Sequence, residues 1–293
     1  PPPPPPRPPP SFFSSRRRHS RLPLVSWARI CLYVTDCLAP DGGLFIPKEI
    51  PKLSIDQINA LKGKNYFDIA NFILSPFLLD LFDSKTINKI IHEAYSKFDQ
   101  EIVSVSNIGD NELLNLFHGP TLAFKDYAMC LLAKIYEYYL KKVDKKLLLI
   151  GATSGDTGSA AIQAFKGIDN ISIFILHPHN STSLFQRKQM TTSGADNVFN
   201  IALNGSFDDC QSLVKQGFQD QTINQNFNLT AINSINWFRV LPQSIYYAWS
   251  FLNHDIKSFV VPSGNFGNIY SAYVLRKMGF PLKAVSYTHL RAH

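Results

Sequence analysis

The chain has 293 residues, with 29 lysines and arginines against 22 aspartates and glutamates, a formal charge of +7. Taken whole, that surplus would point to a nucleic acid or an anionic membrane surface. Its position removes the implication: Arg7, Arg16, Arg17, Arg18, Arg21 and Arg29 crowd an acid-free start, Arg291 sits near the end, and the body from Ile30 to Val285 is neutral.

In chain order, the opening PPPPPPRPPP favours a solvated polyproline II conformation and contributes no core. Residues 1–36 are read as a non-native leader and 286–293 as a non-native tail. SSRRRHSR and SYTHLRAH fall outside the apolar periodicity and resemble translated adapter sequence, so the natural protein is expected to extend further at both ends. The basic start lacks an apolar stretch followed by a small-residue cleavage site, which argues against a secretory signal. The polyproline run likewise argues against a transit peptide. No apolar run approaches the roughly 18 residues of a membrane helix. Cys31, Cys37, Cys130 and Cys210 are scattered without CxxC spacing. They read as reduced thiols of a cytosolic protein, with neither a disulfide framework nor a metal site.

Residues 37–112 read as a mostly helical N-terminal region. Asp41-Gly42-Gly43 is a turn, and Pro47 and Pro51 keep the next segment extended. Ser54 is placed to cap a short helix carrying Ile55, Ile58 and Leu61. The spacing of Ile87, Ile90, Ile91, Ala94, Tyr95 and Phe98 predicts an amphipathic helix over about 85–98.

Residues 113–285 alternate between strands and helices. Strands are expected at Leu113–Phe117, Lys146–Gly151, Ile171–Leu176, Val198–Leu203 and Ser258–Pro262. Helices are expected at about 125–141, 157–166, 182–191, 206–218, 237–252 and 268–278. This pattern predicts an α/β fold with a parallel sheet covered on both faces, and ligands at the strands' carboxyl ends.

Three strand-to-helix loops carry the candidate chemistry. In His118-Gly119-Pro120-Thr121-Leu122-Ala123-Phe124-Lys125, a lysine beside apolar residues at a helix start suits an amine nucleophile. A solvated lysine on a first turn explains the same spacing. Gly151-Ala152-Thr153-Ser154-Gly155-Asp156-Thr157-Gly158 presents glycines and hydroxyls at a helix N-terminus, an anion cradle. It matches neither a P-loop nor GxGxxG, and Asp156 or Thr157 as a plain helix cap accounts for it too. Ser263-Gly264-Asn265-Phe266-Gly267-Asn268 is a second such cradle. One poised amine with a nest for a phosphate and another for a carboxylate describes a pyridoxal-phosphate site.

The segments LFHGPTLAFKDYA (116–128), GATSGDTGSAA (151–161), QRKQMTT (186–192), NGSFDDCQ (204–211), NSINWFRVLPQ (233–243) and VPSGNFGN (261–268) resemble, in order, those of the threonine synthase family. LAPDGGLFIP (38–47) is similar to its opening segment, and the likeness covers about residues 37–285. The resemblance implies a fold type II pyridoxal-phosphate enzyme converting O-phospho-L-homoserine and water to L-threonine and phosphate. It implies that Lys125 carries the cofactor and shuttles protons at Cα and Cβ. Gly264, Asn265, Phe266 and Asn268 would wrap the cofactor phosphate, and Ser154, Asp156 and Thr157 would lie near the substrate's amino-acid end. Asp156 stands where type II enzymes commonly carry asparagine. Arg187 and Lys188 are candidates for the leaving phosphate, since a guanidinium fork suits it, or else form a charged helix face. His118, Asn236 and Arg239 are weaker candidates.

One departure matters. The family's hydroxyl residue that contacts the pyridine nitrogen falls beyond the point where the likeness ends, so this chain is expected to fold poorly or bind the cofactor weakly. Two alternatives remain: another fold type II lyase, or a nucleic-acid module using the basic start. The second is weak because the start interleaves few stacking aromatics and the body has no basic patch.

Overall fold

The computed structural model describes residues 46–47, 49–99, 101–153, 155–179, 182–220, 222–223, 227–232 and 236–289. The leader over 1–36, Cys31, Cys37, the turn at 41–43 and Ser154 lie outside the described residues.

Three capped helices come first. Ser54 and Gln57 form a reciprocal capping box on α1 (Ile55–Asn59), as the sequence indicates. Asn65 caps α2 (Tyr66–Leu78) by accepting from the Asp68 N–H, and Asp83 caps α3 (Ser84–Tyr95) by accepting from Thr86. On α3 the stripe Ile87, Ile90, Ile91, Ala94 and Tyr95 is buried as expected. Each buried isoleucine of that stripe stabilises the fold by roughly 1.5–3 kcal/mol over exposure. The helix ends at Tyr95 rather than Phe98, with Ser96 as its last cap. Helix α2 was not among the expected elements, because Pro76 near its end masks a regular pattern. Its buried Tyr66, Ile69, Ala70, Ile73, Leu74, Phe77 and Leu78 nevertheless follow the helical period.

The expected first strand of the parallel sheet requires correction. β1 (Ser104–Ile108) and β2 (Asn111–Asn115) form a separate antiparallel hairpin, with Ile108 opposite Asn111. Gly109, at φ 56°, and Asp110 make a two-residue loop that turns the chain straight back. A parallel pairing needs a long crossover instead. Leu113 is consequently 48% exposed.

The parallel sheet contains β3 (Leu147–Ala152), β4 (Ile171–Pro178), β5 (Val198–Leu203) and β6 (Leu229–Ala231), in the order β5-β4-β3-β6. Helix α4 (Lys125–Val143) leads into β3, and the crossovers between the sheet's strands include α5 (Asp156–Phe165), α6 (Leu184–Thr191) and α7 (Phe207–Gln219). Leu149 lines one internal cavity with Met129, Leu132, Tyr136 and Phe165 of α4 and α5. The cover is less complete than expected at the edge, where Phe199 and Ile201 of β5 remain exposed.

The expected helix over 237–252 is two: α8 (Trp237–Val240) and α9 (Gln243–His254). Pro242 has no N–H to continue the ladder and instead begins the second helix. β7 (Ser258–Ser263) feeds α10 (Gly267–Lys277), which returns to β8 (Ala284–His289), parallel to β7. The residues 286–289, set apart in the sequence as tail, thus lie in register with β7. Among the described residues no helix is long and apolar enough to cross a membrane.

An aromatic cluster joins the two regions. Tyr66 meets Tyr95 at 5.2 Å, Phe98 meets Tyr127 at 4.9 Å, and Tyr127 meets Tyr246 at 5.6 Å between ring centroids. The Tyr95 hydroxyl donates to the Tyr127 carbonyl. Helices α2 and α3 therefore seat the start of α4.

Candidate active site

Lys125 is the first residue of α4, at the end of a tight loop. Asp126, fully buried, pins that loop by accepting from the Thr121 N–H and hydroxyl, both at 2.7 Å. Gly119 is required there, since a Cβ would come within 2.5 Å of the Asp126 Cβ. Leu122 takes a left-handed φ of 60°, a strained conformation held by its surroundings. Burial pushes the Asp126 carboxyl above its ordinary range, although Thr121 bonds its charged form.

The Lys125 ammonium lies 4.9 Å from the Phe124 ring centroid and 3.2 Å from Asp156 Oδ2. Asp156 opens α5, and its Oδ1 accepts from Gln186 Nε2. Gln186 is oriented in turn, because its Oε1 accepts from the Ser183 hydroxyl at 3.0 Å. Burial works to raise the Asp156 carboxyl, but the Lys125 charge and the Gln186 bond outweigh it and hold it below the usual carboxylate range.

Neither Asp156 nor Thr157 caps α5. That role falls to Thr153, whose hydroxyl accepts from the N–H groups of Gly155 and Gly158 at 3.2 and 3.1 Å. Thr157 is half-buried on the first turn. Gly158 is required by contact: a Cβ would come 2.3 Å from Thr153 Cγ2 and 2.8 Å from Met190 Sδ.

Helix α6 spans both loops. Gln186 reaches Asp156, and Gln189 donates to the Thr121 carbonyl at 3.3 Å. Beside them, Arg187 is half-buried and Lys188 exposed. Among the described residues neither forms an ion pair, so both remain available to an anion.

The third loop leaves β7 at Ser263, whose hydroxyl accepts from the Phe266 N–H at 3.1 Å. Phe266 takes a left-handed φ of 62° just before α10, and Gly264, Asn265 and Phe266 are exposed. The N–H groups of Gly267, Asn268 and Ile269 open the helix and have no acceptor within it. The Asn268 Oδ1 accepts from the hydroxyls of Tyr246 and Tyr247. This donor set, near a helix N-terminus, fits a phosphate. With a lysine at the head of α4, the residues present fit pyridoxal phosphate. The Tyr127–Tyr246 ring contact links that helix to the loop.

The weaker candidates are held by contacts within the fold. His118 Nε2 bonds the Ser104 hydroxyl at 2.9 Å, tying the lysine loop to the hairpin. Asn236 caps α8, and Arg239 is buried on it. Among the described residues no three His, Cys, Asp or Glu side chains gather as a metal ion requires. Sequence reasoning missed the roles of Thr153, Gln186, Tyr246 and Tyr247. Gln186 lies within a motif already singled out, whereas the tyrosines carry no local signal.

A family model described as a pyridoxal-phosphate dependent enzyme matches residues 113–286, and one described as the threonine synthase N terminus matches residues 12–95. The second match begins within the segment set apart as leader. Threonine synthase of Pseudomonas aeruginosa is 43% identical over 251 residues, covering 84% of this chain and 54% of its own. That of Saccharomyces cerevisiae is 40% identical over 273 residues, covering 85% and 53%. The crystal structure of PLP-bound threonine synthase from Brucella melitensis aligns with a TM-score of 0.84 at 41% identity, covering 90% of this chain and 57% of that one. The chain thus spans about half the length of the curated relatives it matches. Maize serine racemase, at 16% identity and a TM-score of 0.50, shares the fold alone. The chain belongs to the pyridoxal-phosphate dependent enzyme family.

Proposed function

We propose that the protein acts as a threonine synthase, turning O-phospho-L-homoserine and water into L-threonine and phosphate. The observation that carries this reading is the cluster Lys125–Asp156–Gln186, with Arg187 beside it on α6 and the donor-rich loop 264–268 reached through Tyr127 and Tyr246. The threonine synthases similar to it support the choice of reaction.

When bound, pyridoxal phosphate supplies an electron sink for negative charge at the substrate carbon bearing the amine. Gly264, Asn265, Phe266 and Asn268 would hold its phosphate through backbone and carboxamide donors. Lys125 would tether it and move protons. The overall change requires protons to leave Cα and Cβ, phosphate to leave Cγ, the water oxygen to join Cβ, and protons to return at Cγ and Cα. A positioned amine is suited to those transfers. Asp156, aimed by Gln186, keeps the Lys125 Nζ beside the substrate's amino-acid end, where Thr157, and Ser154 by the family resemblance, would contribute hydroxyls. Arg187 and Lys188 receive the departing phosphate, Arg187 through its guanidinium fork.

The partner is accordingly a small molecule rather than a nucleic acid or a membrane. We place the enzyme in the cytoplasm, a setting that suits the buried free thiols of Cys130 and Cys210. Incubation with O-phospho-L-homoserine and cofactor tests the reaction. Threonine and phosphate in equal amounts are expected, whereas 2-oxobutyrate would assign another lyase of the same fold.

A further inference from the structure

Tyr246 and Tyr247 are consecutive on α9, and both hydroxyls bond the same atom, Asn268 Oδ1, on the first turn of α10. An amide oxygen has two lone pairs and accommodates both donors. Burial pushes both phenols well above their ordinary range, so each keeps its proton to donate. Turning the carboxamide round would leave the Tyr247 proton without an acceptor among the described residues. The orientation is therefore determined: oxygen toward the tyrosines, Nδ2 away from them. Among the described residues Nδ2 bonds no acceptor.

The tyrosines are themselves fixed. Tyr246 is fully buried, with its ring 5.6 Å from Tyr127 and 4.8 Å from Tyr247, and Tyr247 packs edge-on against Phe259 of β7 at 4.8 Å. Tyr127 lies two residues beyond Lys125 on α4.

We propose that Tyr246 and Tyr247 are positioning residues for the cofactor phosphate: their hydroxyls lock the Asn268 carboxamide so that Nδ2 is presented to the phosphate held by residues 264–268. This rests on the reading of that loop as the phosphate site. It adds two residues that touch no ligand, and it ties the phosphate donor to the helix that starts with Lys125.

The test compares the Kd for pyridoxal 5′-phosphate with that for pyridoxal, which has the same ring and aldehyde but no phosphate. In the Tyr246→Phe/Tyr247→Phe double variant the phosphate form should bind about tenfold more weakly, and pyridoxal within about twofold of the parent. Equal losses for both ligands would assign the tyrosines a merely structural role, and no loss for either would also overturn the proposal. Should the double variant not fold, Tyr247→Phe alone carries the test, with a selective loss of about threefold. Asn268→Asp keeps an oxygen for the tyrosines but removes the donor. It should weaken the phosphate form by about a hundredfold, and an unchanged Kd would contradict the orientation. Asn268→Ala separates the two levels. If it keeps the parent's preference for the phosphate form, the loop reading fails. If it loses that preference while the double tyrosine variant does not, only the positioning proposal fails.

Discussion

The loops 151–158 and 263–268 look alike as sequence, each an apolar strand running through glycines into a helix, yet they are filled differently. In the first, the Thr153 hydroxyl occupies the N–H groups of Gly155 and Gly158, and Asp156 adds a negative charge that is spent on Lys125. In the second, Ser263 accepts from the Phe266 N–H, and the Asn268 Oδ1 accepts from two tyrosines while its Nδ2 bonds no acceptor among the described residues. Glycine and a helix N-terminus make an anion cradle possible. Whether a side-chain acceptor already occupies it decides what it binds. The first loop is thereby suited to an amine and the second to a phosphate.

The largest expected effect falls on the amine side. Lys125→Ala should abolish turnover and the visible absorbance of the bound cofactor, while phosphate affinity at 264–268 persists, measured with inorganic phosphate. Joint loss of both would mean that the two loops do not divide the work.

Asp156→Asn comes next. It removes the charge facing Lys125 and should lower kcat by about 10- to 100-fold, the scale for a group assisting proton transfer. It also carries a pH signature. The Asp156 carboxyl is held below its ordinary value in the folded state, so its contribution to stability is present above that value and lost as pH falls through the folded one. Urea midpoints of the parent should therefore drop more steeply than those of the variant below about pH 4. Asp126, raised by burial, works in the opposite direction.

Gly158→Ala tests the packing of the first loop. The added methyl meets Thr153 and Met190 and should cost about 1–3 kcal/mol. Thr153→Ser, which keeps the hydroxyl and removes Cγ2, should restore part of that loss in the double variant. The smallest effect is expected for Ser263→Ala, about 0.5–1.5 kcal/mol for one hydrogen bond in thermal unfolding. A larger loss there than in Gly158→Ala would reverse the comparison.

What was legible in the sequence follows from how local each cause is. Strands β3, β4, β5 and β7 stood out because continuous apolar runs between turn residues have few other readings, and Ser54 marked α1 through its own cap. The hairpin over 104–115 was legible in principle from Gly109-Asp110, but its polar, half-exposed strands lack the apolar runs that marked the others. Pro242 marks the break between α8 and α9, while the apolar pattern runs on across it and reads as one helix. Lys125 and Asp156 were identifiable as residues, but their 3.2 Å contact joins positions 31 apart and depends on how α4 and α5 pack. The convergence of Tyr246 and Tyr247 on Asn268 is purely tertiary, with no periodicity or motif to announce it.

Borohydride reduction of the cofactor-loaded protein, followed by peptide mapping, tests the central assignment most directly. A pyridoxyl group is expected on Lys125 and on no other lysine. A label on another lysine, or none, would contradict it.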